Sequence, residues 1–255
     1  MTRRIAWLNE KGGSGKSTSA LNLSANLASQ FGQRVLLIDV GHQANISAVL
    51  GGDQVAKHTL TDVLMHDVPA GEAILPTRYP NLHLLPADAA LSEVNVAMAD
   101  SAGRLGIGRE LRLKRALQGI ERDYEFVVVD TGPQRTLLNV NVLNYVDDVF
   151  VPIDPGYWSL LGVKRLEELV GQIREHLGHQ TLRIGGVLLT KVQPTNVARQ
   201  VERQVREYFG PLNVKVEEAH SRGLSVLDYA PESAGAKAYL ALAKEVLFSK
   251  THDNG

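Results

Sequence analysis

Residues 11–18 read Lys-Gly-Gly-Ser-Gly-Lys-Ser-Thr, and they follow the apolar run 5–8 and precede a helix-patterned stretch. This strand–loop–helix order is the context that a phosphate-binding loop requires. The three glycines allow backbone torsions closed to other residues and let the main chain approach a ligand. Successive N–H groups and the positive end of the following helix then favour a bound triphosphate. The octet therefore predicts a nucleotide site made of Lys11, Gly12, Gly13, Ser14, Gly15, Lys16, Ser17 and Thr18.

Two side chains of this loop have expected roles in binding ATP and Mg²⁺. Lys16 would reach the β- and γ-phosphates, and the Ser17 hydroxyl would ligate the metal. Mg²⁺ takes one or two carboxylates in addition to phosphate oxygens and waters. We expect these from Asp39 and Asp130, because each ends an apolar strand pattern, Val-Leu-Leu-Ile-Asp and Phe-Val-Val-Val-Asp.

Length and composition limit the class of protein. The 255 residues contain 44% hydrophobic and 22% charged residues, the proportions of an ordinary globular protein. We expect a single domain spanning 1–255, without an N-terminal helix-turn-helix extension. The absence of cysteine excludes disulfides, thiol catalysis and a thiolate-held iron–sulfur cluster, and makes a cytoplasmic location the default expectation.

Charge and hydropathy bear on partners. The net charge of −1 gives no global positive field, so any contact with DNA must come from a local patch. No apolar stretch approaches the length of a membrane span, and the chain enters a strand pattern at once, so we expect neither a membrane helix nor a signal peptide.

Short aliphatic runs alternate with longer helical patterns along the chain. The predicted strands are Ile5–Leu8, Val35–Asp39, Leu82–Leu85, Phe126–Asp130, Asp148–Ile153 and Ile184–Leu189. The predicted helices are Thr18–Gln30, Arg109–Ile120, Ser159–Leu177, Asn196–Phe209 and Ala234–Phe248. This order predicts an α/β fold with a doubly wound, mainly parallel sheet and helices on both faces. Ligands of such sheets bind beyond the carboxyl ends of the strands, where Asp39 and Asp130 are expected.

The octet starts with a lysine, Lys11, that phosphate binding alone does not need. Lys-Gly-Gly-x-Gly-Lys-Ser/Thr resembles the deviant Walker A motif of the ParA/MinD family of P-loop ATPases. Later segments are similar in order along nearly the whole chain, including Asp130-Thr131-Gly132-Pro133, Val151-Pro152-Ile153, Gly186–Thr190 and Gly235–Tyr239. The likeness is to ParA/Soj-type partition ATPases. It implies ATP hydrolysis by a homodimer in which Lys11 crosses the interface to the partner's nucleotide, with Lys11 and Lys16 as catalytic residues.

One departure from the family motif concerns catalysis. Where relatives read Asp-x-Asp-Pro-Gln-Gly-Asn, this chain has Asp39-Val40-Gly41-His42-Gln43-Ala44-Asn45. The resemblance implies that the second aspartate orients and activates the attacking water, and Gly41 has no side chain with which to do so. Because a positioned general base contributes roughly 10²–10⁴-fold, we predict that ATP binds but hydrolyses slowly. His42 remains an alternative base, because histidine side chains commonly act as general bases.

Two further departures concern the adenine and DNA. Only Pro211 and Leu212 separate the Phe209-Gly210 pair from Asn213, where the family usually has another strand. The resemblance makes Pro211 and Asn213 the candidate adenine contacts. Pro194 stands where relatives often carry an arginine implicated in DNA contact.

The resemblance implies non-specific DNA binding by the ATP-bound dimer, and hence association with the nucleoid. The candidate residues are Lys191, Arg199, Arg203, Arg206, Lys215 and Arg222. Three of these arginines share one helix face, although interspersed glutamates leave a merely solvated helix open. A ParB-like or cargo-adaptor partner is implied as well. The C-terminal stretch lacks a basic amphipathic pattern, which argues against MinD-like membrane attachment.

Three interpretations remain open from sequence. The first is a DNA-dependent partition or cargo-positioning ATPase. The second is an ATP-dependent dimerisation switch or scaffold with negligible turnover, which Gly41 supports. The third is a metabolic amide-forming relative with the same loop, for which the sequence shows no substrate motif; a MinD-like positioning ATPase is a minor variant of the first.

Overall fold

The computed structural model describes residues 1–51, 56–100, 103, 105, 108–133, 136–157, 160–209, 213–215 and 225–249. Within these ranges the strands form one eight-stranded sheet. The strands are β1 (Arg3–Trp7), β2 (Val35–Asp39), β3 (Leu75–Pro76), β4 (Leu82–Leu85), β5 (Phe126–Asp130), β6 (Asp148–Ile153), β7 (Arg183–Leu189) and β8 (Asn213–Lys215). Their spatial order is β3-β4-β2-β5-β1-β6-β7-β8. Every neighbouring pair is parallel except β3 with β4. The prediction of a mainly parallel, doubly wound sheet is confirmed.

Helices cover both faces of the sheet. They are α1 (Lys16–Phe31), α2 (Asn45–Leu50), α3 (Leu60–Met65), α4 (Ala70–Ala73), α5 (Leu91–Ala99), α6 (Arg112–Ala116), α7 (Leu137–Tyr145), α8 (Leu160–Leu177), α9 (Asn196–Phe209), α10 (Val226–Tyr229) and α11 (Ala234–Phe248). The bounds predicted for α9 and α11 are confirmed at both ends, as are those of β2, β4, β5 and β6. The short helices α2, α3, α4 and α10, the helices α5 and α7, and the strands β3 and β8 were not predicted.

The predicted helix Arg109–Ile120 is wrong as one element. A 3₁₀ turn at Arg109–Leu111 precedes α6, and a second 3₁₀ turn begins at Ile120. Asparagines of α7 explain the first break, because Asn141 donates to the carbonyl of Arg109 and Asn144 donates to that of Glu110. Those carbonyls would otherwise accept the first α-helical hydrogen bonds. The second break follows from Gly119, whose φ of 94° turns the chain out of the helix.

Alternate residues of the strands face two separate cores. Ile5 and Trp7 of β1 pack in the core under α1 and α11, whereas Ala6 and Leu8 pack in the core under α5, α7, α8 and α9. Both faces of the central strands are therefore covered, which explains their continuous apolar runs.

The strand order reverses at β1, since β2 to β5 lie on one side of it and β6 to β8 on the other. A crevice opens beyond the carboxyl ends of the strands at such a reversal. The octet 11–18 begins directly past this end of β1, so the topology places it in the crevice.

Candidate nucleotide-binding site

The phosphate loop leaves β1 through Asn9, which shapes its entry. The Asn9 side chain donates to the carbonyl of Pro152 at 2.7 Å and accepts from the Lys11 N–H at 2.9 Å. Gly13 and Gly15 have φ values of 72° and 95°, in the left-handed region that other residues rarely adopt. The helix α1 then begins at Lys16, and the Ser19 N–H donates to the Gly15 carbonyl at 2.8 Å. The loop thus has the backbone form of an anion-binding nest at a helix N-terminus.

A cleft of about 300 Å³ opens over the loop. Its described lining comprises Gly12–Thr18, Asp39, Gly41, His42, Gln43, Asn45, Asp130–Pro133 and Lys191. The sheet therefore brings together the predicted phosphate loop, both predicted metal carboxylates and the Gly41–His42 pair. Lys11 does not line this cleft.

Lys16 is held inside the loop. Its side chain is only 6% exposed, and its Nζ donates to the carbonyl of Lys11 at 3.1 Å. Burial lowers the pKa of Lys16, and the neighbouring Asp130 opposes that effect. An ammonium in this position would compensate the charge of a bound phosphate, which fits the predicted role.

Asp39 is buried with its carboxylate oxygens satisfied by the protein. The Gly41 N–H donates to Oδ1 at 3.0 Å, and the Ser47 N–H and hydroxyl donate to Oδ2 at 2.9 and 2.8 Å. Burial raises the pKa of Asp39, and the hydrogen bonds from Ser47 and Gly41 act in the opposite direction. The sequence analysis missed Ser47, whose only signal is its place in the first turn of a short, unpredicted helix.

Asp130 is different, because its Oδ1 is buried without a hydrogen-bond partner among the described residues. Burial, followed by the charge of Asp39, raises the pKa of Asp130 to about 8, while the hydrogen bond from the Ser17 hydroxyl lowers it. An unpartnered buried carboxylate oxygen is costly unless a cation or donor engages it. Ser17 and Asp130 therefore form a donor set that fits the predicted Mg²⁺ site.

Gly41 lines the phosphate cleft at the position where the family motif has its second aspartate. A Cβ added there would lie 3.3 Å from Oδ1 of Asp39, a tight contact that a small movement of the carboxylate would relieve. His42 is exposed and lines the same cleft, so it remains an alternative base.

A second, mostly apolar cavity of about 590 Å³ adjoins the phosphate cleft between α7 and α8. Leu8, Val151, Ile153 and Leu166 line its apolar part, and Lys11 lines it near the loop. Ser14, Gly132 and Pro133 line both cavities, so the two are neighbours. Among the described residues, Lys11 lines this second cavity and not the phosphate cleft.

The predicted DNA residues fall into two described groups. Arg199, Arg203 and Arg206 are exposed on α9, whose opposite side is buried through Ala198, Val201 and Val205. Arg206 pairs with Glu202 at 3.1 Å, and Arg199 donates to the side chain of Asn196 at 2.6 Å. Lys191 lies apart from this face, at the rim of the phosphate cleft.

The remaining predicted contacts lie at the edge of what the structure describes. Asn213 and Lys215 begin and end β8, which pairs with β7. Pro211 and Arg222 lie outside the described residues.

Comparisons with known proteins identify the family of this chain. The profile of a family described as an AAA domain matches residues 2–184. The chain is 37% identical to the sporulation initiation inhibitor protein Soj of Bacillus subtilis, over 96% of this chain and 98% of the relative. It is 40% identical to the chromosome partitioning protein ParA of Caulobacter vibrioides, over 96% of this chain and 94% of the relative. The chain belongs to the ParA/MinD-type family of partition ATPases.

A solved structure with the same fold carries nucleotide. It is a protein described as cobyrinic acid a,c-diamide synthase from Mycobacterium smegmatis, with a bound ATP analogue and magnesium. Its TM-score is 0.82 at 29% identity, over 97% of this chain and 94% of that one. In the part of the chain that the structure describes, no helix is long and apolar enough to cross a membrane.

Proposed function

We propose that this chain is a ParA-type ATPase that dimerises around ATP and Mg²⁺, binds DNA non-specifically and positions a plasmid, chromosome or other cargo. ATP and Mg²⁺ are its cofactors, and a ParB-like protein or cargo adaptor is its partner. The observation that carries the proposal is the meeting of the phosphate loop, Asp39 and Asp130 in one cleft, in a chain 40% identical to a partitioning protein.

Dimerisation through Lys11 is supported by where that residue lies. Its backbone is held on both sides, since its N–H bonds to Asn9 and its carbonyl accepts from Lys16. The residue lines the apolar cavity and not this chain's own phosphate cleft. A lysine whose backbone is fixed in the loop, and which does not line its own phosphate cleft, fits a residue that serves the nucleotide of a second copy.

Non-specific DNA binding is supported by α9. The helix buries an apolar side and exposes three arginines at i, i+4 and i+7 spacing, which lie on one face. Arginines so arranged bind phosphates without reading bases. A dimer would carry two such helices.

Slow hydrolysis is supported by the environment of Gly41. Glycine contributes only its N–H there, and that N–H is already donated to Asp39. The Asp39 carboxylate is in turn occupied by Ser47 and Gly41, so neither residue offers a free base to a water. Without a positioned base the expected loss is about 10²–10⁴-fold in turnover.

Light scattering with ATP, ADP or no nucleotide, with and without duplex DNA, tests the proposal. We expect a monomer without nucleotide and with ADP, and a DNA-binding dimer with ATP and Mg²⁺. The matched variant is Lys11→Ala, which should bind ATP yet remain monomeric, because Lys16 and the loop N–H groups are retained. A chain that stays monomeric with ATP and ignores DNA would overturn the proposal.

A second candidate is a switch or scaffold that binds ATP, dimerises and never completes turnover, and Gly41 favours it. Multiple-turnover phosphate release over hours in the presence of DNA separates the two, since a switch releases less than one phosphate per site. A MinD-like positioning ATPase would instead bind anionic vesicles when ATP is present.

A further inference from the structure

The end of β7 holds the phosphate loop from its outer side. The Thr190 hydroxyl donates to the carbonyl of Ser14 at 2.9 Å, and Lys191 Nζ donates to the carbonyl of Gly13 at 2.8 Å. Two consecutive residues thus engage two consecutive carbonyls of the loop. Thr190 is 5% exposed, whereas Lys191 is exposed at the rim of the cleft.

These contacts bear on the polarity of the loop. The peptide N–H and C=O are fixed in one plane and point in opposite directions, so N–H groups converge on an anion only when the adjoining carbonyls turn away. A carbonyl that rotated towards the cleft would repel a phosphate. Donors on the carbonyls of Gly13 and Ser14 oppose that rotation.

Backbone torsions in the loop and at Lys191 also indicate that these contacts hold the loop in one conformation. Gly13 and Gly15 have positive φ, and so does Lys191, with a φ of 54° that is unfavourable for a residue with a Cβ. Such a conformation persists where surrounding contacts hold it, and it concentrates at functional sites. The loop also rests directly on Thr190, because a Cβ added to Gly15 would lie 3.1 Å from Thr190 Cγ2.

We propose that Thr190 and Lys191 form a loop clamp, and that Lys191 is a positioning residue for the phosphates. The clamp orients the loop N–H groups before nucleotide arrives and contributes equally to ATP and ADP binding. Lys191 was predicted to contact DNA, and the clamp gives it a role within its own nucleotide site. The inference rests on the nucleotide site and is independent of dimerisation and DNA binding.

The test compares Lys191→Met, Lys191→Arg and Thr190→Val with the control Lys244→Met, which removes an exposed lysine from α11. Methionine has no ammonium but carries the same left-handed backbone cost as lysine, so the comparison isolates the hydrogen bond. The readouts are ATP–Mg²⁺ and ADP–Mg²⁺ affinity by calorimetry, affinity for duplex DNA with ATP, the melting temperature, and amide hydrogen exchange of residues 11–18 without nucleotide.

We expect Lys191→Met to weaken the binding of ATP and of ADP by about 10-fold each, which is the effect of losing one charge-assisted hydrogen bond. Exchange in residues 11–18 should accelerate in Lys191→Met and Thr190→Val, with a melting temperature equal to that of the control. Lys191→Arg should recover most of the affinity, because it retains a charged donor.

Three results would overturn the clamp. A loss confined to ATP would show that Lys191 contacts the terminal phosphate directly. A loss confined to DNA binding would assign it to the DNA surface alone. Unchanged exchange in residues 11–18 would show that the carbonyl contacts do not order the loop. A wild-type chain that binds nucleotide but neither dimerises nor binds DNA would overturn the proposed function and leave the clamp intact.

Discussion

Asp39 and Asp130 stand side by side at the carboxyl ends of β2 and β5, paired in parallel register. Both carboxylates are buried, but their hydrogen bonding differs. Asp39 receives donors from Ser47 and Gly41 on both oxygens, whereas Oδ1 of Asp130 has no partner among the described residues. The protein itself satisfies the first carboxylate, and we propose that the second receives a cation.

Asparagine at these two positions should produce opposite effects. Asp130→Asn replaces a buried carboxyl group whose raised pKa of about 8 favours its neutral form when no cation is bound, so the nucleotide-free protein should melt no lower than wild type. Added Mg²⁺ should raise the ATP affinity of wild type about 10-fold more than that of the variant, because in the variant the metal loses a charged ligand. Calorimetry of ATP with Mg²⁺ and with EDTA measures this difference.

Asp39→Asn serves as the matched comparison. Its amide would face the donors of Ser47 and Gly41, which should lower stability by about 1–3 kcal/mol without nucleotide. If both variants were equally destabilised, or if Asp130→Asn kept the full Mg²⁺ effect, the assignment of Asp130 to the cation would be wrong.

Restoring a carboxylate at position 41 should accelerate hydrolysis. We expect Gly41→Asp to raise steady-state turnover by about 10²–10⁴-fold, since a positioned base contributes that much. Gly41→Ala is the control, because it adds the same Cβ beside Asp39 without a carboxylate. Equal turnover in wild type and Gly41→Asp would refute the idea that Gly41 limits catalysis and would favour His42 as the base.

The arginines of α9 should set the salt dependence of DNA binding. Each arginine-to-alanine change among Arg199, Arg203 and Arg206 should reduce the slope of log affinity against log salt by about one on duplex DNA. Fluorescence anisotropy between low and physiological salt gives this slope. Arg122→Ala, an exposed arginine on a 3₁₀ turn, should leave the slope unchanged. An unaltered slope in the triple α9 variant would identify the helix as merely solvated.

His179 should make stability depend on pH in the mildly acid range. Its Nε2 lies 2.7 Å from the carbonyl of Val146, and burial lowers its pKa below the ordinary value of 6.5. The pKa of His179 is therefore lower in the folded protein than in the unfolded chain, and the unfolded chain binds the proton more tightly. The contribution of His179 to stability is present above pH 6.5 and is lost as the pH falls below it.

The matching measurement is the denaturant midpoint of wild type and His179→Gln at pH 7.5 and pH 5.5. The advantage of wild type over the variant should shrink at the lower pH, because glutamine does not titrate. A constant difference across this range would show that His179 does not carry the effect.

The sequence predicted structure well where the residues that determine an element follow one another along the chain. The octet predicted the loop, and mostly apolar runs predicted the bounds of β2, β4, β5 and β6 to the residue, because strands covered on both faces are rich in apolar residues. Arg109–Ile120 failed for the opposite reason. Its first break is imposed by Asn141 and Asn144 of α7, which lie more than thirty residues away in sequence.

The sequence by itself determined the ligand class of the loop and the family, since spacing within eight residues specifies a backbone shape that glycines alone permit. Only the tertiary structure decided which partners complete it. Ser47 on Asp39, the open oxygen of Asp130 and the donors of Thr190 and Lys191 on the loop carbonyls all depend on elements brought together by the sheet. Hydrogen bonds between distant segments have no periodicity in the sequence, so only the fold reveals them.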